Sequence, residues 1–195
     1  MVVEKGSPTA YVPYSINGYT VAEIHAPFDI HEDAINVTWP LRMYFPSTIE
    51  RVEGAVIPFG EPNFIWNYPS SGGDLKAFFC SEPINLVHFT PTPYTAYVPS
   101  EYYEVYERLN TDIFVANVCY YFNIEENKND YYYVDYYDEG SLIEFIPPEP
   151  ERTGYVFAGW YKEKECINLW DFASDAVILE EGSQEIKLYA KWIVE

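Results

Sequence analysis

Residues 131–137 read Tyr131-Tyr132-Tyr133-Val134-Asp135-Tyr136-Tyr137, and five phenols around one carboxylate are the densest chemical signal in the chain. A phenol offers a flat apolar ring and a hydroxyl that both donates and accepts, a combination favoured where one surface recognises another. On a strand, alternation puts Tyr131, Tyr133, Asp135 and Tyr137 on one face and Tyr132, Val134, Tyr136 and Asp138 on the other. Only one face can line a small core, so two or three tyrosines are expected at solvent, and Tyr131, Tyr133 and Tyr137 are the candidate partner-contact residues. The structural alternative is that cross-strand tyrosine pairs stabilise a hairpin and cover a junction.

Other reactive groups are plentiful but poorly spaced for chemistry. Asp130, Asp135, Asp138 and Glu139 are oxygen ligands of the kind calcium takes, yet the stretch lacks the Asp-x-Asp-x-Asp-Gly logic that wraps such ligands round an ion. A carboxylate pair at glycosidase separation could arise by folding, but no local motif singles one out. His25 and His31 miss the i, i+4 spacing of a helical zinc pair, and His88 stands apart. Cys80 and His88 have neither a third residue nor an elbow to make a nucleophile pair. Cys80, Cys119 and Cys166 contain no Cys-x-x-Cys and read as buried thiols, with a Cys119–Cys166 bridge left open for an exported protein. The expectation is a non-enzyme with no catalytic, cofactor-binding or metal-binding residue.

Composition narrows the class of partner. With 31 acidic and 11 basic residues the net charge is −20, which repels phosphate backbones and anionic lipid, so nucleic acid is not an expected partner. The 195 residues suffice for one well-buried domain or two small ones. Aromatic residues make up 19% and lean the chain toward β structure. No apolar run approaches the roughly 20 residues that span a bilayer, so direct membrane insertion of this stretch is not expected, and Met1-Val2-Val3-Glu4-Lys5-Gly6 is not a signal peptide.

The elements follow a repeated beat. Tyr11-Val12-Pro13, Tyr44-Phe45-Pro46 and Tyr97-Val98-Pro99 each read as an apolar strand stopped by proline, followed by a second beat at Ile16, at Ile49 and Val52, and at Tyr102 and Val105. Strands are expected at Val21–His25, Leu41–Phe45, Phe64–Asn67, Leu75–Phe79 and Thr95–Val98, most starting at intervals near a leucine-rich period. Ser100 to Leu109 is expected as a short helix capped by Ser100. Ile113 to Phe122 reads as a buried strand, Glu125 to Asp130 as a polar turn and Tyr131 to Tyr137 as its hairpin partner. Pro147, Pro148 and Pro150 force an extended, solvent-facing segment.

Two resemblances attach to these segments. Ile16 to Ile24, Leu41 to Val52 and Ala96 to Tyr106 resemble leucine-rich repeats of the Bacteroides and Treponema surface-protein type, although leucine is scarce and residues 54–73 are rich in proline and glycine. Pro148-Glu149-Pro150-Glu151-Arg152-Thr153-Gly154-Tyr155-Val156-Phe157-Ala158-Gly159-Trp160-Tyr161, then Trp170-Asp171-Phe172 and Leu188-Tyr189-Ala190-Lys191-Trp192, resemble the Listeria/Bacteroides repeat, also called the internalin B-type repeat. That resemblance implies a compact β-grasp-like fold of mixed strands with a short helical piece, here Ile167–Phe172 or Ser174–Leu179, and it implies no catalytic group. Physically, Tyr155, Phe157 and Trp160 suit one strand face, Gly154 and Gly159 suit turns or close backbone approach, and Trp192 can close a core.

The combined expectation is a mainly β, α+β chain, with a leucine-rich-repeat-like region over 1–114 and a β-grasp-like repeat domain over 115–195. The resemblances imply an extracellular or bacterial cell-surface protein with no cofactor, mediating adhesion or protein–protein interaction with a protein or glycan on a host or neighbouring cell. A carbohydrate-binding module and a purely structural spacer are the alternatives.

Overall fold

A computed structural model of the chain describes residues 2–3, 9–25, 28–30, 42–58, 75–82, 84–90, 94–107, 112–124 and 130–195. Its elements in order are β1 (Val2–Val3), β2 (Thr9–Tyr11), β3 (Ser15–Ile16), β4 (Tyr19–Thr20), β5 (Glu23–His25), β6 (Phe28–Ile30), β7 (Arg42–Phe45), β8 (Arg51–Pro58), β9 (Leu75–Phe79), β10 (Asn85–Thr90) and β11 (Tyr94–Val98). A 3-10 turn (Ser100–Tyr102) and a single helical turn α1 (Tyr103–Tyr106) follow. Then come β12 (Asp112–Val115), β13 (Val118–Tyr121), β14 (Tyr131–Asp135), β15 (Tyr155–Tyr161) and β16 (Ile186–Val194). The fold is mainly β.

The first part is a coil of two facing sheets. Strands β2, β7, β9, β11 and β12 pair side by side in parallel, with β1 antiparallel on the outer edge of β2. After β2, β7 and β9 the chain turns and contributes β5, β8 and β10 to a second parallel sheet, which β6 joins through β8. Each coil thus gives one strand to each sheet, and the apolar side chains between the sheets form a core of Met43, Phe45, Ile49, Val52, Ala77, Phe79, Ala96, Val98 and Tyr106. The prolines act as expected. Pro46 ends β7, and the turn is tied to its neighbour by Thr48 Oγ1 donating to the Val21 carbonyl at 2.6 Å and Glu50 N–H donating to the Ala22 carbonyl at 2.8 Å.

Several expected features land elsewhere. Val21–His25 shortens to β5 and belongs to the second sheet, while β2 supplies the first-sheet strand of that coil. Ile16 sits exposed on the β3–β4 hairpin, and Val105 is also exposed; the enclosed side chain of the third beat is Tyr106. Its hydroxyl meets the Ser81 and Glu82 carbonyls at 3.4 and 3.3 Å, so the ring fills the place that strands fill in the earlier coils. Ser100 does not cap the helix; Pro99 holds the cap position and no side chain bonds the free N–H groups. Phe64–Asn67 lies outside the described residues.

The second part is a four-stranded sheet ordered β14-β13-β16-β15, with β13 and β16 parallel at its centre and the outer pairs antiparallel. The apolar run Ile113 to Phe122 is not one strand: the chain leaves the coil at the end of β12, crosses Ala116 and Asn117, and starts β13 in the other sheet. Asn117 secures the crossing, its Nδ2 donating to the Tyr137 carbonyl at 2.7 Å and its Oδ1 accepting from Tyr137 N–H at 3.0 Å. In β15 a bulge between Phe157 and Trp160 brings both rings to one face, with centroids 5.2 Å apart. Gly159 is at φ +109°, and a Cβ there would stand 2.8 Å from Leu169 Cδ1. Trp192 closes the core by donating its indole N–H to the Phe122 carbonyl at 2.5 Å.

No helix forms over Ile167–Phe172 or Ser174–Leu179. The carboxylate of Asp171 accepts from Ala173 N–H and from the Ser174 hydroxyl, holding a local turn in place of the helical ladder. The proline segment is not wholly solvent-facing, because Pro147 and Pro150 are buried.

Candidate functional site

The two sheets meet on a row of rings. Pairing in register puts Tyr11, Tyr44, Phe78, Tyr97 and Phe114 side by side on five parallel strands, all on the face opposite the coil core. Tyr44 stacks on Phe78 at 4.6 Å, Phe78 on Tyr97 at 4.9 Å and Tyr97 on Phe114 at 5.7 Å. A parallel sheet is stable when both faces are covered, and this aromatic face is covered over much of its length by the C-terminal part of the chain, with Phe114 half exposed at its edge. Phe145 stacks on Tyr44 at 3.7 Å, Tyr136 packs on Tyr97 at 5.0 Å, and the Tyr133 hydroxyl donates to the Val12 carbonyl at 2.6 Å.

At the centre of this junction lies an enclosed ion pair. Arg42, on the aromatic face of β7, donates to the Asp135 carboxylate, to the Tyr136 carbonyl at 3.0 Å and to the Tyr44 hydroxyl at 2.8 Å. Tyr44 in turn donates to Asp135 Oδ2 at 3.1 Å, and the guanidinium lies 4.8 Å from the Phe78 ring and 4.9 Å from the Tyr137 ring. Asp135 has no exposure and Arg42 keeps a narrow edge to solvent. Burial therefore pushes the Asp135 carboxyl up to about 6 even with Arg42 beside it. Burial alone would lower Arg42, but Asp135 and Tyr44 outweigh it and hold the guanidinium charged.

This placement corrects the expectation for the tyrosine strand. Tyr131, Tyr133 and Tyr137 are 5%, 0% and 9% exposed, so none offers a free contact face. Both faces of β14 are covered: Tyr131 and Tyr133 pack on Tyr102 and Phe145, and Tyr132 packs on Tyr14, Phe122 and Trp160. The missed partner was Arg42, remote in sequence; its only local sign was a cation in an otherwise apolar strand.

The remaining candidates do not converge. Asp130 accepts from Ile124 N–H at 2.6 Å, and burial pushes its carboxyl up to about 6. Asp138 and Glu139 are exposed at a turn, away from the enclosed Asp135. No group of three metal-ligating side chains exists among the described residues. His25 lies exposed between Glu23, at 3.0 Å, and Glu53, at 3.4 Å. His31 and the side chain of His88 lie outside the described residues. The three cysteines are free thiols, and Cys119 donates to Glu185 Oε2 at 2.9 Å, which removes the Cys119–Cys166 bridge. Burial raises all three thiols, Cys80 and Cys119 most strongly.

Grooves lie on the surface of the C-terminal sheet. One of about 520 Å³ runs past Lys162, Trp170, Ile178 and Lys187, and one of about 580 Å³ runs past Arg152, Tyr155, Lys191 and Trp192. The second is bounded by the turn at Gly154, the outer strand β15 and the last residues of β16.

The residues that build this sheet match a known sequence family. Residues 121–191 match the Listeria-Bacteroides repeat domain. The match falls on the C-terminal sheet from the end of β13 to β16, and the leucine-rich resemblance of the coil stays an expectation. A protein of Evansella cellulosilytica provisionally named a Gly-rich membrane protein is 44% identical over 52 residues, which is 27% of this chain and 5% of that protein. Another from the same organism, provisionally named a membrane protein, is 40% identical over 52 residues, 27% of this chain and 7% of its own length. The matched segment is thus a small fraction of these relatives. No solved structure gives a significant match. No helix among the described residues is long and apolar enough to cross a membrane.

Proposed function

We propose that this chain is a non-catalytic module of a bacterial cell-surface or secreted protein, and that it recognises a protein or glycan on a host or neighbouring cell. The observation that carries the reading is the repeat at residues 121–191, seated on the aromatic face of the coil through the enclosed Arg42–Asp135 pair. Relatives provisionally named membrane proteins support a surface association. The docking supports a unit whose exposed grooves keep a fixed spacing, which is what recognition by shape needs. The non-catalytic reading is supported by the state of the reactive groups: Asp135 is sealed, and the cysteine thiols are held protonated. The net charge of −20 disfavours nucleic acid as a partner.

The same rigid seating also favours a second role as a spacer that holds neighbouring modules at a set distance. The two roles separate in a binding screen of the purified chain against host matrix proteins and glycans, run beside antibody labelling of intact and permeabilised producer cells. Saturable binding with labelling of intact cells supports recognition. Silence across the array with surface labelling leaves only the spacer, and labelling confined to permeabilised cells rejects the surface assignment.

A further inference from the structure

Strand β16 is nine residues long, but its two neighbours cover different lengths of it. Strand β15 pairs with it from Tyr189 to Val194, whereas β13 pairs only from Ile186 to Tyr189. Asn123, at φ +56°, turns the chain away from the sheet, and its side-chain amide donates to the Ala190 carbonyl at 3.2 Å where the next backbone bond would fall. Past Ala190 no described strand lies on that side of β16.

Alternation decides which backbone groups this leaves open. Ile186 N–H donates to the Asn117 carbonyl and the Ala190 carbonyl accepts from Asn123, so even-numbered residues of β16 direct N–H and C=O toward the β13 side. Glu195 N–H donates to the Gly154 carbonyl at 3.2 Å, so odd-numbered residues face β15 to the end. Trp192 and Val194 therefore direct their N–H and C=O groups to the open side, about 7 Å apart along the strand, and neither β13 nor β15 reaches them. The groove of about 580 Å³ follows this edge, because its lining comes from both faces of the sheet. Arg152 and Tyr155 lie on the Trp192 face, Lys191 lies beside Tyr161 on the other, and Asn123 and Ile124 mark the point where β13 departs.

Donors and acceptors at a two-residue repeat match a polypeptide, which carries its own N–H and C=O groups at that spacing. Side chains of an added strand fall alternately on the two faces. On one they meet the indole of Trp192 and the Arg152 guanidinium, which lies 5.9 Å from that ring; on the other they meet Lys191 and Glu165, whose charges oppose each other. A carboxylate is thus favoured on the Arg152 face alone. A second copy of the chain is disfavoured as the occupant, because two bodies of net charge −20 repel. We propose that the open edge of β16 at Trp192 and Val194 takes up an extended segment of a partner polypeptide as an added strand, with an acidic side chain against Arg152. The inference rests on the surface-recognition reading and narrows its ligand to a polypeptide.

The test is amide hydrogen exchange of the full chain by nuclear magnetic resonance, with and without a nine-residue peptide selected on it from a random display library. In the free chain the Trp192 and Val194 amides should exchange at least about tenfold faster than that of Ile193, and the peptide should slow both by a similar factor. N-methylation along the peptide should abolish binding at alternate residues and spare those between. Val194→Pro removes an N–H that no strand pair uses and should weaken the peptide about fivefold or more, whereas Val194→Thr should not; R152Q should cost a similar factor. The exchange and methylation arms hold even if Val194→Pro fails to fold. Slow exchange of both amides in the free chain, no selected peptide, selected peptides without an acidic residue, or peptides that leave both amides exchanging freely would overturn the assignment. A sedimenting dimer with both amides protected would overturn it in favour of a second copy. A glycan or protein from the broader screen that binds without slowing either amide would overturn it while leaving surface recognition standing.

Discussion

Replacing Arg42 with methionine strands a carboxylate that has no route to water. Asp135 is fully enclosed, and its remaining neighbours are the Tyr44 hydroxyl, the backbone N–H of Tyr136 and the phenols of Tyr120 and Tyr137. Removing one partner of an enclosed ion pair costs about 3–5 kcal/mol, because the charge left behind is uncompensated. Loss of the two cation–ring contacts adds about 0.5–1 kcal/mol each, partly offset by packing of the methionine. Against a total stability of about 5–15 kcal/mol, Arg42→Met should remove about a fifth or more. The assay is urea unfolding followed by tryptophan fluorescence and far-ultraviolet circular dichroism at pH 8 and pH 5. Without the guanidinium the Asp135 carboxyl rises beyond about 6 and is protonated at pH 5, so the penalty should shrink on acidification by at least about 1 kcal/mol. Adding Asp135→Asn should recover at least half of the loss at pH 8, since it removes the stranded charge while the amide oxygen accepts from Tyr136 N–H and the amide nitrogen donates to the Tyr44 hydroxyl. A loss below about 1 kcal/mol at pH 8, or a loss that does not change with pH, would refute the argument that this pair holds the junction.

Other predictions follow from single residues. Asp130 and Asp135 both have carboxyls raised to about 6, so their contribution to stability is greatest below the unfolded value of about 4 and is lost as pH rises through 6; the folding free energy should fall across that window, and Asp135→Asn should flatten the slope. Gly159→Ala should destabilise by about 1–3 kcal/mol in chemical denaturation, because φ is +109° and the new methyl meets Leu169; Leu169→Ala should relieve only the contact part. A thiol reagent at pH 8 should modify one cysteine in the native protein, Cys166, with Cys80 and Cys119 protected until unfolding, as mass spectrometry of the labelled peptides would show. Tyr106→Phe should cost about 1 kcal/mol or less, since its hydroxyl contacts are all 3.3 Å or longer.

How much of this was legible depends on how local each cause is. β9 sits at Leu75–Phe79 as the apolar run predicts, and Gly154, Phe157, Gly159, Trp160 and Trp192 play the parts their spacing suggests, because turns and alternation act over a few residues. The bulge that brings Phe157 and Trp160 to one face belongs to the same short range. The tyrosine strand was misjudged for the opposite reason. Alternation shows that β14 has two faces, but not that Arg42 and the stacked rings of four other strands wait to cover the second one. The short helix after Val98 formed, with Pro99 in place of Ser100 at its cap, whereas the helical piece expected within 167–179 gave way to side-chain bonds from Asp171 that propensity alone does not reveal.

The parallel pairing of β13 with β16 has a mechanical consequence. Val118 lies beside Ile186 and Tyr121 beside Tyr189, so the chain enters the sheet at one end of this pair and leaves it, past Val194, at the other. Tension applied through Asn117 and Glu195 would therefore pull the two central strands along each other in opposite directions. Their hydrogen bonds would share the load at once, where a hairpin pulled from its open end would part bond by bond. A sheet strung this way resists traction along the chain, a useful property for any protein held between two bodies that move apart.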